Sequence, residues 1–303
     1  MDLASVAPDY KTGFVAVVGK PNVGKSTLIN ALVGQKVSAV SSKPQTTRRR
    51  VLGILTLPKS QVIFVDTPGI HQPHNKLGQL MIQTAQQAVT DGDVILFMVD
   101  GSRLPDFEDR KIAQILNNDH VPPVILVMNK MDKLKAERVE SNVAAYQALV
   151  KHVDWMMTTA LRKVNLDKLL DQINNVLPEG PPLFEEDQVT DQSMRIFASE
   201  LIREKVLHKT RQEVPHSVAV LVELWEERTN GVVHIGATIY VEKDSQKGIL
   251  IGQGGIMLKQ IGQLAREEIE EALEQKVYLE LWVKVRRDWR QDPNALRSLE
   301  FGN

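Results

Sequence analysis

From Gly13 to about Leu177, short apolar runs alternate with longer amphipathic segments. The short runs are rich in Val and Ile, and each ends near a Gly, Asp or Asn, which is typical of buried parallel strands. They are Phe14–Val18, Val62–Val65, Val94–Val99 and Val124–Met128. The stretch Arg50–Leu57 is a candidate edge strand, and Asp154–Thr159 is a candidate for a last central strand.

The segments between these runs have the length and the apolar spacing of helices. They are Gly24–Leu32, Asn75–Val89, Asp106–Asn117, Lys135–His152 and Asn165–Val176. Strands that alternate with helices in this way favour an open α/β sheet whose strands are mostly parallel. The pattern therefore predicts an α/β domain for the first part of the chain.

This alternation stops at Pro178-Glu179-Gly180-Pro181-Pro182. Three prolines and a glycine in five residues can continue neither a helix nor a central strand. We therefore expect a first domain over residues 12–178, a linker over residues 179–190 and a second domain over residues 191–303.

The pattern beyond the linker is that of an α+β domain. In order, it predicts a helix at Gln192–Lys209, strands at Ser217–Leu224 and Val232–Val241, a glycine-rich turn at Gly252–Gly255 and a helix at Ile256–Glu274. A last strand alternates strictly and places five apolar side chains on one face: Val277, Leu279, Leu281, Val283 and Val285. The stretch Lys247–Ile251 is strand-like by its pattern alone.

The composition of the 303 residues excludes several classes of protein. The net charge of -1 indicates no general nucleic-acid or membrane surface, so such a partner would need a local patch. The absence of cysteine excludes disulfides, thiolate nucleophiles and sulfur-ligated zinc. No apolar run approaches the ~20 residues that span a bilayer. The segment Met1–Lys11 carries two aspartates and lacks the order of a secretory signal, so we expect a soluble cytoplasmic protein.

The strongest motif is Gly19-Lys20-Pro21-Asn22-Val23-Gly24-Lys25-Ser26, which follows a predicted strand and opens a predicted helix. Glycines allow backbone N–H groups to turn inward around phosphate, and the helix N-terminus adds a positive dipole. The Lys25 ammonium reaches the β- and γ-phosphates, and the Ser26 hydroxyl ligates Mg²⁺. The sequence thus predicts a phosphate site formed by the loop and the start of the helix, through Thr27.

Two further motifs follow later strands. Asp66-Thr67-Pro68-Gly69 places a carboxylate where it can hold Mg²⁺ through water and an N–H where it can face the γ-phosphate. Asn129-Lys130-Met131-Asp132 carries a carboxylate that only accepts hydrogen bonds, which suits the N1 and N2 donors of guanine and repels the N1 acceptor of adenine. Ligands bind at the carboxyl ends of parallel strands, so the three motifs together predict a guanine-nucleotide site.

The three motifs resemble the first, third and fourth signature elements of the translation-factor-related GTPases. The whole chain, including Ala16-Val17-Val18 and the phosphate loop, resembles the Era-like family of ribosome-assembly GTPases. The resemblance implies hydrolysis of GTP by water with no side-chain nucleophile, and transition-state support from Lys25, Thr47 and Gly69.

The resemblance also indicates the remaining elements of the site. Pro44-Gln45-Thr46-Thr47-Arg48 is similar to the second element, in which a Thr covers Mg²⁺; Thr47 is favoured and Thr46 is the alternative. The implied Mg²⁺ ligands are Ser26, Thr47 and, through water, Asp66. Thr159-Ala160-Leu161 corresponds to the fifth element without its usual Lys, which leaves the Ala160 N–H to contact the guanine O6.

Two residues of the site allow more than one interpretation. Many GTPases place a Gln after the third element to orient the attacking water, but Ile70 stands there and has no hydrogen-bonding group, so we expect it only to pack and the water to be positioned by other groups. In relatives with an apolar residue at that place, an Asn similar to Asn22 helps to bind K⁺ beside the phosphates. The alternative is that Asn22 is an exposed loop amide.

The element order of the second domain resembles the bacterial-type, or type II, KH domain, which clamps about four single-stranded nucleotides with a G-x-x-G loop. The implied RNA-binding residues are Gly252, Gln253, Gly254, Gly255 and Lys259. The resemblance also favours a short helix at Lys247–Ile251. From Glu186 onward the chain has 16 basic and 20 acidic side chains, which argues against a generally basic RNA-binding surface.

By the resemblance, the ligand of the KH domain is the 3′ end of small-subunit (16S) rRNA, and the function is assembly of the 30S subunit. The alternative is a related GTPase that acts in tRNA modification, or a membrane-associated switch with a protein-interaction domain. We expect a monomer with Mg²⁺ and GTP or GDP, and peripheral association with the inner face of the cell membrane as a secondary property.

Overall fold

The computed structural model describes residues 9–43, 45–211, 214–229 and 231–301, so Pro44 of the second element lies outside the described residues. The chain divides into two compact units. The first unit comprises the residues up to 38, residues 47–73 and residues 81–191. The second unit comprises residues 39–46, residues 74–80 and the chain from residue 192 onward.

The first unit contains a six-stranded sheet in the order β2-β3-β1-β4-β5-β6. Its strands are β1 Lys11–Val18, β2 Val51–Leu57, β3 Ser60–Asp66, β4 Val94–Asp100, β5 Val124–Asn129 and β6 Asp154–Met157. All neighbouring strands pair in parallel except β2, which pairs antiparallel with β3. The prediction of an open, mostly parallel α/β sheet with an antiparallel edge strand is confirmed.

Helices pack on both faces of this sheet. They are α1 Lys25–Val33, α2 Lys76–Asp91 (which belongs to this unit from residue 81), α3 Phe107–Leu116, α4 Val139–Gln147 and α5 Leu166–Val176. Side chains alternate along β1, so Val15 and Val17 join the core beneath α1 and α5, while Ala16 and Val18 join the opposite core. Both faces are therefore buried, which explains the continuous apolar runs of the central strands.

Two sequence-based expectations for the first unit were wrong in detail. The strand at Asp154–Met157 is shorter than the predicted segment and lies at the edge of the sheet, with all its residues only half-buried. The segment Lys135–His152 is not one helix, because a separate 3-10 turn at Ala136–Arg138 precedes α4. No side chain of that charged turn is buried, so packing does not hold it in an α-helix.

The segment after Pro178 bonds to the outer edge of β2, the edge strand, and to the side chain of Gln61 on β3, the next strand inward. The Ile54 N–H donates to Val189 O at 2.9 Å. The fully buried Gln61 amide accepts from the N–H groups of Leu183 and Phe184 at 2.7 and 2.9 Å. These bonds satisfy backbone groups that an open sheet edge would expose, and they protect the edge from pairing with another chain.

The second unit contains a three-stranded sheet in the order β7-β8-β9, formed by Ala219–Glu227, Val232–Val241 and Lys276–Val285. β7 and β8 are antiparallel, and β8 and β9 are parallel. Its helices are α6 Met194–Lys209, α7 Val214–Ser217, α8 Asp244–Ile251, α9 Ile256–Leu273 and α10 Pro293–Ser298. The α+β prediction is confirmed, and the stretch Lys247–Ile251 is helical, as the resemblance favoured.

The two faces of β9 differ as its alternation predicted. Val277 and Val283 are buried in a core that α6, α8 and α9 share with the sheet. On the other face, Tyr278 and Trp282 are 49% and 45% exposed. The apolar face of the strand therefore holds the helices, and the aromatic face is open to solvent.

Candidate functional site

The phosphate loop connects β1 to α1 with a backbone that only glycine allows at two places. Gly19 has φ +157°, and a Cβ there would lie 2.2 Å from Met98 O. Gly24 precedes the helix with φ +110°, and a Cβ there would lie 2.4 Å from the Asn129 amide nitrogen. Both contacts are shorter than any real Cβ contact, so the loop is pressed against the carboxyl ends of β4 and β5.

Lys25 is buried at the first position of α1 and turns back over the loop. Its ammonium donates to Gly19 O at 3.2 Å and to Lys20 O at 3.0 Å. Burial lowers the pKa of Lys25 to about 8, against the opposing attraction of Asp66. A phosphate group would replace these two carbonyl contacts with a stronger charge-assisted bond and would favour the protonated form.

Three side-chain oxygens meet beside Lys25. The Ser26 hydroxyl donates to Asp66 Oδ2 at 2.7 Å, and the Thr47 hydroxyl lies 2.9 Å from Ser26 Oγ and 3.2 Å from Asp66 Oδ2. Burial raises the pKa of Asp66, although Lys25 and the hydroxyls oppose this. Asp66 Oδ1 is buried and has no hydrogen-bond partner among the described residues. Hydroxyl and carboxylate oxygens around an unsatisfied carboxylate atom fit Mg²⁺, which prefers oxygen ligands.

The two candidate threonines of the second element have different surroundings. Thr47 is the one that joins Ser26 and Asp66. The Thr46 hydroxyl donates instead to Lys43 O at 2.7 Å. The geometry therefore favours Thr47 over Thr46 as the ligand for Mg²⁺.

The third element packs tightly against the phosphate loop. A Cβ at Gly69 would lie 2.6 Å from Pro21 N, so a larger residue cannot occupy this position without displacing the loop. The fully buried Thr67 donates to Val17 O at 2.7 Å and ties the element to β1. Ile70 is buried in the core, and its N–H donates to Gly19 O at 3.2 Å. Ile70 therefore packs rather than facing a reacting water molecule.

Asn129, at the end of β5, holds three parts of the site together. Its amide nitrogen donates to Val23 O at 2.8 Å, and its oxygen accepts from the Ala160 N–H at 2.9 Å. The same oxygen accepts from the Thr158 hydroxyl at 3.3 Å. The phosphate loop and the fifth element are thus joined through one buried side chain, and Thr159 lies buried beside it.

In the rest of the fourth element, Met131 packs against the core, Lys130 is half-buried and Asp132 is exposed. Lys130 adopts φ +63° and its ammonium pairs with Asp100 at 2.9 Å. Burial opposes ionisation of Asp100, but hydrogen bonds from Ser102 and Lys130 outweigh it and hold the pKa of Asp100 below its ordinary value. Asp132 lies exposed in the following turn, where its carboxylate can reach a base. Sequence reasoning missed Asp100 and Thr158, although Asp100 ends a buried strand as Asp66 does.

The glycine-rich loop of the second unit opens α9. Gly252, Gly254 and Gly255 have φ of +71°, +59° and +80°, and a Cβ at either Gly254 or Gly255 would meet nothing within 4 Å. Gln253 is exposed at the tip. The loop backbone is therefore accessible to a closely approaching ligand. A cleft of about 490 Å³ lies beside it, lined by residues that include Gly255, Leu258, Lys259, Arg266, Tyr278 and Leu281.

Lys259, which the resemblance implied as an RNA-binding residue, lines this cleft together with Arg266 and Tyr278, to which the sequence assigned no role. Arg266 follows Lys259 by seven residues on α9, and this spacing places both cations on the same helix face. Tyr278 reaches the cleft from β9, and only the packing of strand against helix brings it there.

Over residues 9–43, 45–211, 214–229 and 231–301, no group of three or more His, Asp or Glu side chains is arranged to hold a metal ion. The same part of the chain has no helix that is long and apolar enough to cross a bilayer. His71, which follows the third element, lies 2.9 Å from Gly69 O through its Nδ1 atom.

Comparisons with known families match both units. The family model described as a 50S ribosome-binding GTPase matches residues 14–130. The KH domain model matches residues 213–290. The matched ranges include the phosphate loop and third element in one case and the glycine-rich loop in the other.

Relatives match nearly the whole chain. GTPase Era of Heliobacterium modesticaldum is 50% identical over 291 residues, which are 96% of this chain and 97% of the relative. GTPase Era of Ruminiclostridium cellulolyticum is 45% identical over 292 residues, which are 96% of this chain and 98% of the relative.

Two solved structures have the same fold over the same length. Era in complex with MgGDPNP and nucleotides 1506–1542 of 16S ribosomal RNA is 42% identical, with a TM-score of 0.92 over 97% of this chain and 100% of that chain. A variant of Aquifex aeolicus Era bound to GDP·AlF4⁻ is 43% identical, with a TM-score of 0.93 and the same coverage.

The bonds of Asn129 lead to a stability prediction. Asn129→Ala should lower the free energy of unfolding by ~2–4 kcal/mol even without ligand, because it leaves Val23 O and the Ala160 N–H buried without this partner. Urea unfolding of the nucleotide-free protein measures the loss. Asp132→Ala, in the same motif but exposed, should stay within ~0.5 kcal/mol of the parent. Equal stability of the two variants would contradict the structural role of Asn129.

Proposed function

The chain belongs to the Era family of GTPases, and on that premise we propose that it is a GTP-driven switch that binds the 3′ end of 16S rRNA and acts in assembly of the 30S subunit. One observation carries the proposal: the oxygen cluster of Ser26, Thr47 and the buried Asp66 lies beside the phosphate-loop Lys25, while a separate glycine loop opens onto a cleft with two cations. We assign residues 12–178 to the GTPase domain, 179–190 to a linker and 191–303 to the RNA-binding domain.

The enzyme hydrolyses GTP, and Mg²⁺ accompanies the nucleotide in the related complex. We assign the phosphates to the backbone between Gly19 and Thr27 and to the Lys25 ammonium. Ser26 and Thr47 would ligate Mg²⁺ directly, and Asp66 would hold it through water. When bound, the ion neutralises charge on the β- and γ-phosphates.

Hydrolysis then depends on the position of one water molecule, because no side chain acts as the nucleophile. The Gly69 N–H and Lys25 would stabilise the charge on the transferred phosphoryl group. Ile70 has no group that can orient the water and is buried. We therefore propose that K⁺ supplies additional positive charge beside the phosphates and that the exposed Asn22 side chain is one of its ligands.

If Asn22 holds K⁺, potassium should raise kcat over sodium by at least about fivefold, which corresponds to ~1 kcal/mol in the barrier. Asn22→Gly should remove the difference between the salts, because glycine keeps the φ of +63° and lacks the amide. Asn22→Asp, which keeps an oxygen ligand, is the matched control. Equal GTPase rates of the parent in the two salts would leave Asn22 as an exposed loop amide.

Guanine selectivity is assigned to the exposed carboxylate of Asp132, which accepts from N1 and N2 of the base. Asn129 would stabilise the base pocket, because its side chain bonds both to the phosphate loop and to Ala160. The Lys130 stem would cover the base. Thr159 and Ala160 would line the pocket on the side of the guanine O6, where the Ala160 N–H donates to Asn129 Oδ1 in the absence of ligand.

Asp132→Asn should lower GTP affinity by roughly tenfold to several hundredfold, because an acceptor-only group is replaced by an amide that can donate. Affinity for xanthosine triphosphate, whose C2 carbonyl accepts, should rise. Competition against a fluorescent GDP analogue measures both changes. Asp171→Asn, an exposed change of the same charge on α5, should alter neither. Unchanged GTP preference in Asp132→Asn would exclude Asp132 from the base pocket.

RNA binding is assigned to the loop Gly252–Gly255 and to Lys259. The glycines let a phosphate backbone approach closely, and the N-terminus of α9 faces it. Arg266 in the adjoining cleft offers a second cation for the nucleic-acid backbone, and Tyr278 lines the same cleft. These features supply a local RNA site on a domain that is acidic overall.

Gln253→Asp combined with Gly254→Asp places two carboxylates where phosphates must approach. Each repulsion is on the order of 1 kcal/mol in a wet site, so single-stranded RNA affinity should fall by roughly tenfold to several hundredfold. Titration at fixed salt with an RNA resembling the 3′ end of 16S rRNA measures the change.

The matched control is Gln253→Asn with Gly254→Asn, which has the same shape and the same backbone cost at the positive φ of Gly254 but no charge. It should bind RNA nearly as the parent does, and both double variants should keep GTP binding. Parent-like RNA affinity of the aspartate variant would favour the alternative, a related GTPase whose second domain contacts protein.

We further propose that the protein acts as a monomer in the cytoplasm, where ribosomal subunits are assembled. Peripheral association with the inner face of the cell membrane is a secondary proposal. Co-sedimentation with ribosomal subunits and with vesicles at matched salt would separate the two locations.

A further inference from the structure

The side chain of Lys20, the second residue of the phosphate loop, points to α3 and not to the centre of the loop. Its ammonium donates to Asp106 and, at 2.7 Å, to Asp109. The Lys20 side chain is only 14% exposed. The guanine-nucleotide motifs alone assign no role to these two aspartates.

The N-terminus of α3 is a rigid anchor for this contact. Asp106 caps the helix by accepting from the N–H groups of Glu108 and Asp109 at 3.0 and 3.2 Å. In turn, the Asp109 side chain accepts from the Asp106 N–H at 3.1 Å, which completes a capping box. The fully buried Tyr146 of α4 lies 3.4 Å from the same Asp109 oxygen. The two carboxylates are therefore held by the helix and the core, independently of Lys20.

The backbone of Lys20 takes part in the phosphate site itself. Its carbonyl accepts from the Lys25 ammonium at 3.0 Å, one residue after the tight contact of Gly19 with Met98. The loop that follows contains Asn22 at φ +63°, a conformation that costs a non-glycine residue free energy and that the surrounding structure must stabilise. Lys20 thus links the phosphate loop, through its backbone, to the N-terminus of α3, through its side chain.

We propose that Lys20 is a positioning residue that clamps the phosphate loop to the N-terminus of α3 through Asp106 and Asp109, and so keeps the loop in its nucleotide-binding shape. This inference rests on the phosphate-binding role of the loop. The two aspartates carry one more charge than Lys20, so this group as a whole does not attract phosphate. Burial tends to lower the pKa of Lys20, but the bonds to both aspartates raise it overall and keep the ammonium charged.

The clamp and a simple charge effect predict opposite changes in nucleotide affinity for one substitution at Asp106. Asp106→Asn removes a negative charge near the phosphates and keeps a good helix cap. If charge alone mattered, GDP and GTP would bind more tightly. If the clamp matters, the loop loses its charge-assisted anchor and nucleotide affinity falls, by about threefold to tenfold.

The full experiment uses the intact chain and a fluorescent GDP analogue with Mg²⁺. Lys20→Met should weaken binding by roughly tenfold to a hundredfold, and Lys20→Arg should restore most of the affinity because arginine can donate to both carboxylates. The combination of Lys20→Met with Asp106→Asn should bind about as weakly as Lys20→Met alone, since both remove the same link. In steady-state GTP hydrolysis, Lys20→Met should raise KM more than it lowers kcat.

The outcomes separate the clamp from the proposed function. A parent protein that fails to bind GTP would contradict the guanine-nucleotide site itself. A parent that binds GTP, with Lys20→Met at parent affinity or Asp106→Asn tighter than the parent, would overturn the clamp. If Lys20→Met does not fold, two measurements still test the clamp. They are the direction in which Asp106→Asn changes nucleotide affinity, and the nucleotide affinity of Lys20→Arg.

Discussion

Close approach of backbone to backbone is the constraint on which the nucleotide site depends. Gly19 touches the Met98 carbonyl, and Gly69 touches the nitrogen of Pro21, so the phosphate loop lies pressed between two strand ends and the third element. A side chain at either glycine would force these segments apart. Because the proposed phosphate binding uses mainly the N–H groups of the loop itself, the position of the loop must be set by such contacts and by the few side chains that reach it from outside.

Those side chains also explain how several charges remain buried in one place. Asp66 attracts the positive charge of Lys25, and the hydroxyls of Ser26 and Thr47 lie within hydrogen-bond distance of the Asp66 carboxylate. Each charge is therefore partly compensated before any ligand binds. The compensation is incomplete, because Asp66 keeps one oxygen unsatisfied among the described residues. Such a site favours binding of a cation together with an anion, since binding either alone would leave a buried charge uncompensated. Magnesium with a nucleoside triphosphate meets that requirement.

The second unit uses glycine for a different purpose. At Gly254 and Gly255 no atom would obstruct a Cβ, so glycine there leaves the backbone open to a ligand rather than allowing close packing inside the protein. The cleft beside this loop takes its cations from one face of α9 and its aromatic ring from β9. This placement gives an acidic domain a local surface suited to single-stranded RNA.

The sequence by itself determined the parallel sheet, the order of the guanine-nucleotide motifs and the glycine loop, because apolar alternation and glycine spacing are local properties. It also indicated that Ile70 would pack. The local pattern was insufficient where position depends on distant neighbours: β6 was expected to be a central strand but lies at an edge. Thr47, which the resemblance favoured over Thr46, is the threonine that meets Asp66. Only the tertiary structure brought Asp106 and Asp109 to Lys20, across some eighty-six to eighty-nine residues. No local pattern encodes such a pairing, because it follows from the placement of β4 beside β1 in the sheet.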